Sequence, residues 1–299
     1  MHKDVISSRL AVSRRRALAL GGTVGVGALL AGCGDDQASV GASSTGGTTS
    51  GSTPTGRATS AASGDVVALL DQAGTCTLAQ EETQGPYWFD VDSIRSDLRE
   101  DRPGTTLDLA VRVQDMSRCS SGGVAAPVAD CVVEIWHCDA GGVYSGFESG
   151  SMGSGGGAPP AGEMPSGSPG GESGATSDGS YSEGDMEAAT SDDGTYLRGA
   201  QVADAKGIAQ FTTIYPGWYS GRTVHIHLKV HVDKVTVLTT QLFFDDALND
   251  AVFATSPYDD HTGRDTTNDT DTIFDSVGLV STDKTADGYL AAINLGVDV

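Results

Sequence analysis

Basic residues are scarce in this chain, and the imbalance restricts its possible partners. The 299 residues contain 18 Lys and Arg against 40 Asp and Glu, which gives a formal net charge of −22. Nucleic-acid binding needs basic patches that neutralise phosphates, so no nucleic-acid partner is expected. Electrostatic capture by an anionic membrane surface is disfavoured for the same reason.

No apolar run near the N-terminus is long enough to span a bilayer as a helix. The apolar stretch 17–30 instead follows Arg14–Arg16, which is typical of a twin-arginine export signal, and ends in Leu30–Cys33, which is typical of a bacterial lipobox. We therefore expect residues 1–32 to be a signal peptide and Cys33 to carry a lipid anchor. This predicts a location on the outer face of the cytoplasmic membrane, or outside the cell if the signal is an ordinary one.

Cysteines are few, and none are spaced as Cys-x-x-Cys, which disfavours a thiolate metal site. Four follow the lipobox cysteine, namely Cys76, Cys119, Cys131 and Cys138. In an oxidising compartment four cysteines suggest two disulfides, and the sequence leaves all three possible pairings open.

Large apolar side chains are rare in two segments. Residues 33–64 are almost entirely Gly, Ser, Thr and Ala, which predicts a flexible tether. Residues 147–193 are rich in Gly, Ser and Pro and contain nine acidic residues but no basic one. Such a segment cannot bury enough apolar surface to order itself, so we expect a disordered loop insertion. The remainder of 65–299 is expected to form one domain.

Long amphipathic helices are not indicated in that domain, whereas short stretches with strand character recur. Residues 107–115, 128–139, 207–214 and 235–244 are rich in β-branched and apolar residues, and in the first of them apolar and polar residues largely alternate. Many short strands separated by turn signals predict an all-β fold, an antiparallel β-sandwich.

The stretch Tyr219–His227 concentrates residues that can bind metal. Successive side chains of a strand point to opposite faces, so His225 and His227 are expected on one face, where paired imidazoles suit zinc, copper, nickel or iron. Two tyrosines, Tyr219 and Tyr144, lie in Gly-rich turns and can supply phenolates, which are hard anionic donors that favour Fe(III). Arg222 keeps its charge and can hold an anionic substrate.

These motifs resemble those of the intradiol ring-cleavage dioxygenases, the group that contains catechol 1,2-dioxygenase and protocatechuate 3,4-dioxygenase, and in particular its exported members. The matching stretches, in chain order, are Gln84–Tyr87, Val133–Ser145, Tyr196–Gly199, Phe211–Tyr219, Arg222–His227 and Thr239–Phe244.

The resemblance implies cleavage of a catechol-type ring by O2, between the two hydroxyl-bearing carbons, to a muconate-type diacid. It implies a non-haem Fe(III) held by Tyr144, Tyr219, His225 and His227. In the family, the tyrosine that matches Tyr219 leaves the iron when catechol binds and acts as a base. Arg222 matches an arginine near the reacting ring carbon, and Gln241 matches a pocket glutamine.

Some features depart from the family, and two other functions remain open. Gln84 stands where a Glu is usual, the insertion after Tyr144 is long, and the helical dimerisation region of catechol dioxygenases is missing, so no oligomeric state is predicted. A cupin-like metalloenzyme would also use a His-x-His strand, with His231 on the same face. A non-catalytic β-sandwich binding module is the other alternative, which four intact ligand positions disfavour.

Overall fold

The computed structural model describes residues 59–73, 77–119, 125–151 and 175–299. The predicted signal peptide 1–32, Cys33 and most of the tether lie outside the described residues. Within the described part of the chain, no helix has the length and apolar character needed to cross a membrane.

A helix lies where the end of the tether was expected. Helix α1 (Thr59–Leu70) begins inside the predicted tether 33–64, so that prediction is wrong for the last six residues. The helix is held by apolar contacts, because Val66, Leu69 and Leu70 are buried in one cluster with residues of the first sheet. Spacings of three and four residues bring such side chains to one helix face.

The described residues contain eleven strands and two further helices. The strands are β1 (Thr106–Asp115), β2 (Ala126–Pro127), β3 (Val132–Trp136), β4 (Thr176–Asp178), β5 (Glu183–Met186), β6 (Arg198–Val202), β7 (Ile208–Ile214), β8 (His225–Val232), β9 (Val235–Phe243), β10 (Ser281–Lys284) and β11 (Gly288–Val297), and the helices are α2 (Glu148–Ser151) and α3 (Asp246–Phe253). Short 3-10 helices span Met116–Arg118, Tyr258–Asp260 and Ser276–Gly278.

Two sheets form the predicted all-β sandwich. The first has the order β10-β11-β1-β2, with β7 also paired to β1, and the second has the order β6-β3-β8-β9. The pairs are antiparallel except for β1 and β11, which run parallel from Thr106↔Gly288 to Asp115↔Val297. Apolar residues of both sheets, such as Leu109 on β1 and Ile226 on β8, share one buried core.

Part of the expected disordered insertion is ordered. Residues 147–151 include α2, and 175–193 include the hairpin β4-β5, so the prediction of disorder over 147–193 is wrong for these parts, while 152–174 lie outside the described residues. An acidic side chain of this segment is paired with residues that are remote in the chain. Asp185 accepts hydrogen bonds from Lys229 Nζ at 2.6 Å and Thr236 Oγ1 at 2.5 Å.

The expectation of two disulfides is also wrong. Cys119 is disulfide-bonded, but Cys131 and Cys138 are free, buried thiols. They flank β3 seven residues apart, about 20 Å along an extended strand, whereas a disulfide needs Cα atoms within about 7 Å. Burial raises the pKa of Cys131 to about 11, so this thiol is not reactive.

Candidate metal centre

The strand β8 presents His225 and His227 on the face opposite the sandwich core. Ile226 lies in the core, whereas its neighbours His225 and His227 are buried among aromatic side chains on the other side of the sheet. The Nε2 atoms of the two imidazoles are 3.2 Å apart, and the ring planes are 83° apart. The alternation predicted from the sequence therefore brings the two ring nitrogens together.

Both predicted tyrosines reach the same point from turns. Tyr144 follows a tight turn in which the Asp139 carboxylate accepts from two backbone N–H groups. Tyr219 lies in a turn closed by a bridge to Arg222. The Oη atoms of Tyr219 and Tyr144 lie 3.0 Å and 3.4 Å from Nε2 of His225.

This spacing fits donors that share one ion. Ligands bound about 2.0–2.2 Å from a metal, at angles between octahedral and tetrahedral, lie about 3.0–3.5 Å from one another. The three measured separations from Nε2 of His225 are 3.4, 3.0 and 3.2 Å. In the described ranges, no three His, Cys, Asp or Glu side chains are grouped to hold a metal. The mixed phenol and imidazole group is therefore the candidate centre.

Burial sets the protonation states of this group. It lowers the pKa of His225 and His227 well below the usual value, so both imidazoles are neutral and available as ligands. It raises the pKa of Tyr144 and Tyr219 above 10, so neither phenol ionises by itself at neutral pH. A strong Lewis acid is what converts such phenols into anionic ligands.

Several neighbours fix the orientation of the imidazoles. His225 Nδ1 lies 2.6 Å from the carbonyl oxygen of Thr223, which selects the tautomer that leaves Nε2 free for a metal. The Trp136 indole stacks on His227 with ring centroids 4.9 Å apart. Gly85 also abuts His227, because a Cβ on this residue would lie 3.2 Å from Cε1 of the imidazole.

The two predicted pocket residues lie beside the centre and contact each other. Arg222 Nη2 donates to Gln241 Oε1 at 2.5 Å, and Arg222 Nε donates to Asp271 Oδ2 at 2.9 Å. Gln241 is the direct neighbour of His227 in the pairing of β8 with β9. Its Nε2 donates to the carbonyl oxygen of Thr83 at 2.9 Å, which ties the pocket to the segment before Gly85.

Sequence reasoning missed three supporting residues. Asp271 lies in a polar stretch that carries no pattern, so no signal pointed to it. Arg198 holds the residue after Tyr144, because its Nε and Nη2 both donate to Ser145 at 2.8 Å. Trp136 was detectable in principle, since period-two alternation along β3 and a cross-strand partner on β8 place it beside His227.

Two other histidines lie apart from the centre. His231 Nε2 is 3.1 Å from Glu134 Oε2, so the acid that a cupin-like site would need binds this histidine and not the pair His225 and His227. His137 is fully buried, with Nδ1 2.8 Å from the Cys138 carbonyl oxygen and Nε2 2.8 Å from Thr213 Oγ1. Both have structural hydrogen-bond partners.

The chain matches solved structures of dioxygenases, although no family model and no curated protein match it. An intradiol ring-cleavage dioxygenase from Tetranychus urticae is 27% identical with a TM-score of 0.58, over 75% of this chain and 95% of that protein. A second dioxygenase is 27% identical with a TM-score of 0.59 over the same shares. The resemblance predicted from the motifs is confirmed, and the matches support an enzyme of the intradiol ring-cleavage class.

Proposed function

We propose that this protein is an Fe(III)-dependent dioxygenase that opens a catechol-type ring between its hydroxyl-bearing carbons to give a muconate-type diacid. The observation that carries the proposal is the convergence of two phenols and two imidazoles, with Oη of Tyr144, Oη of Tyr219 and Nε2 of His227 all 3.0–3.4 Å from Nε2 of His225. The similarity to an intradiol ring-cleavage dioxygenase supports the same reaction.

The four residues named above would hold the iron. When bound, Fe(III) supplies a Lewis acid that ionises the phenols and activates a chelated catechol toward O2. Tyr144 is the fixed ligand, because it is fully buried and its ring stacks on Tyr87 at 4.8 Å. Tyr219 is partly exposed on a turn, so it is the phenol that can move aside for substrate.

The surrounding residues bind the substrate and move its proton. In its ionised form, Oη of Tyr219 is a base that takes the proton from a catechol hydroxyl. Arg222 stays charged and stabilises the negative charge that the bound ring acquires, while Gln241 fixes its guanidinium. The aromatic rings of Tyr87 and Trp136 pack against Tyr144 and His227 and exclude water from the donors.

The proposal is tested by loading the protein with Fe(III) and following its visible spectrum, its oxygen uptake and the ring-opened product. Tyrosinate-to-iron charge transfer is expected to give a red-brown protein that consumes O2 with catechol. The Tyr219→Phe variant should shift the visible band and slow turnover, whereas Tyr289→Phe, which changes a tyrosine in the first sheet, should do neither. A colourless protein fully occupied by zinc would overturn the proposal.

We also propose that the enzyme works outside the cytoplasm, anchored through a lipid on Cys33. The disulfide at Cys119 supports an oxidising compartment, because such bonds are rare in the cytosol. Cell fractionation tests the anchor. The wild-type chain should sediment with membranes and the Cys33→Ala variant should not, and an equal distribution of the two would contradict the anchor.

A further inference from the structure

The last part of the acidic insertion lies against the residues around the metal centre, although it supplies none of the proposed ligands. We call residues 186–192 the strap. Ala188 on the strap packs against the buried cluster that contains Trp88 and Tyr144, and Tyr219 packs against the same cluster. The strap is therefore part of the surroundings of both phenols.

The beginning of the strap is tied to the segment that precedes β1. Gln84 Nε2 donates to the carbonyl oxygen of Met186 at 3.0 Å. The backbone N–H of Ala188 donates to the carbonyl oxygen of Trp88 at 2.8 Å. These two hydrogen bonds hold the strap alongside residues 84–88.

The end of the strap is tied to the turn that follows Tyr144. The backbone N–H of Ser191 donates to the carbonyl oxygen of Gly146 at 2.7 Å. The carboxylate of Asp192 accepts from the backbone N–H of Glu148 at 2.8 Å. The strap thus joins two segments that are remote in the chain, residues 84–88 and the turn that carries one of the phenols.

Residues 84–88 form a wall of the centre. Gly85 has a φ of +70°, which favours glycine, and a Cβ at this position would lie 3.6 Å from Nε2 of His227, the atom that faces the other donors. The ring of Tyr87 stacks on that of Tyr144, with centroids 4.8 Å apart. Movement of this segment away from the sheet would therefore uncover the position of the metal.

Of the four hydrogen bonds of the strap described above, only the one from Gln84 has a side-chain donor. Gln84 is partly exposed and Met186 is 67% exposed, so the contact lies at the surface, where a substitution leaves the core intact. An amide donates a hydrogen bond, whereas an ionised carboxylate of the same shape only accepts. A glutamate at position 84 would face the Met186 carbonyl with a second acceptor.

We infer that the strap closes one side of the metal centre and that Gln84 is the positioning residue that fastens it. The inference rests on the proposed function, because the ion that the strap shields is the proposed Fe(III). Losing one hydrogen bond at a partly exposed site should favour opening of the strap by about threefold, and setting a carboxylate against the carbonyl should favour it by about tenfold.

The first test measures how fast an excess of chelator removes Fe(III) from the loaded full chain, followed in the visible band. Gln84→Met removes the donor and should speed removal about threefold, and Gln84→Glu should speed it about tenfold. Gln80→Glu adds the same charge at an exposed position four residues earlier and should leave the rate unchanged. The band maximum should not move in any of these variants, because no ligand is altered.

Hydrogen exchange of the metal-free full chain gives a readout that does not depend on iron. The amides of Ala188 and Ser191 should exchange faster in Gln84→Glu than in wild type, and those of β11 should not change. Unchanged exchange at the strap amides, or equal chelator rates for Gln84→Glu and Gln80→Glu, overturns the inference, whether or not catechol is cleaved. If both readouts respond but no catechol is cleaved, the proposed reaction fails and the role of the strap stands.

Discussion

The indole of Trp136 lies parallel to the imidazole of His227, with ring centroids 4.9 Å apart and planes 4° apart. The two residues are direct partners in the antiparallel pairing of β3 with β8, so the backbone register itself creates the stack. His227 Nδ1 is buried without a hydrogen-bond partner in the described part of the chain. Stacking is therefore the contact that holds this ring in the plane that aims Nε2 at the other donors.

Removing the stack should weaken metal binding. We expect Trp136→Leu to lower the Fe(III) affinity about 10–100-fold, the usual cost of losing a contact that orients a ligand. Competition with a chelator, followed in the visible band, measures this. Trp136→Phe keeps an aromatic face and should retain most of the affinity, and a Leu variant that binds iron as tightly as wild type would contradict the role assigned to the indole.

The carboxylate of Asp271 should act on turnover through Arg222. It accepts from Arg222 Nε, from the backbone N–H of Thr223 and, through Oδ1, from that of Ile273. An asparagine at this position has no negative charge and one acceptor oxygen fewer than the aspartate. A hydrogen bond to a charged group contributes about 1.5–3 kcal/mol. We expect Asp271→Asn to lower kcat/KM about 10–100-fold.

The matched control lies two residues away. Asp269 is exposed, so Asp269→Asn makes the same chemical change in the same segment without touching Arg222. Steady-state kinetics and visible spectra of both variants separate the roles. If Asp271→Asn changed the iron band as much as the rate, it would be acting on the metal ligands and not on the guanidinium.

The sequence predicts local features of this site better than remote ones. Alternation places His225 and His227 on one face, because period two is built into any strand. It does not bring Tyr144 to them; that expectation came from the family resemblance, since a turn 81 residues away carries no positional information. Asp271 was unpredictable for the same reason, as its partners are set by how a polar loop folds back.

The errors over the fold have a common cause. Composition predicted disorder for 175–193, yet Asp185 on the β4-β5 hairpin pairs with Lys229 on β8, and a charge pattern within one segment cannot reveal such a partner. Helix α1 was largely missed because Ser, Thr and Ala also suit a linker, and because its apolar residues are buried by residues remote in the chain, such as Ala110 on β1 and Ala292 on β11. The count of cysteines predicted two bridges, but Cys131 and Cys138 are buried free thiols, and the strand that separates them prevents a bridge between the two.

In the ion pair between Lys229 and Asp185, loss of the aspartate should lower the stability of the protein more than loss of the lysine. The lysine side chain is 1% exposed and lies 3.3 Å above the Trp88 ring centroid, whereas the aspartate side chain is 25% exposed. Asp185→Ala leaves a buried ammonium without its carboxylate, which should cost about 3–5 kcal/mol. Lys229→Met leaves a carboxylate that water reaches and keeps packing on the indole, so about 1 kcal/mol is expected.

Urea unfolding of the two variants measures this asymmetry. The Asp185→Ala midpoint should fall well below that of Lys229→Met. Equal midpoints would mean that the lysine finds another partner or loses its proton without cost when the carboxylate is removed.

The buried imidazole of His137 should cause the free energy of unfolding to decrease in mild acid. Its ring is fully buried, and burial lowers its pKa from 6.5 to about 4. Nδ1 donates to the Cys138 carbonyl, so the neutral Nε2 accepts from Thr213. Between pH 6.5 and 4 the unfolded chain binds this proton and the folded chain does not, so stability falls as the pH falls through that window. From pH 7.5 to 5 the loss should be about 2 kcal/mol.

The His137→Gln variant isolates this contribution. Glutamine does not titrate, so between pH 7.5 and 5 the free energy of unfolding of the variant should fall by about 2 kcal/mol less than that of wild type. His225 and His227 also have lowered pKa values, but they are present in both proteins and cancel in the comparison. Urea unfolding at pH 7.5, 6 and 5 measures the difference. Curves that stay parallel across this range would show that His137 binds its proton equally in the folded and unfolded chains.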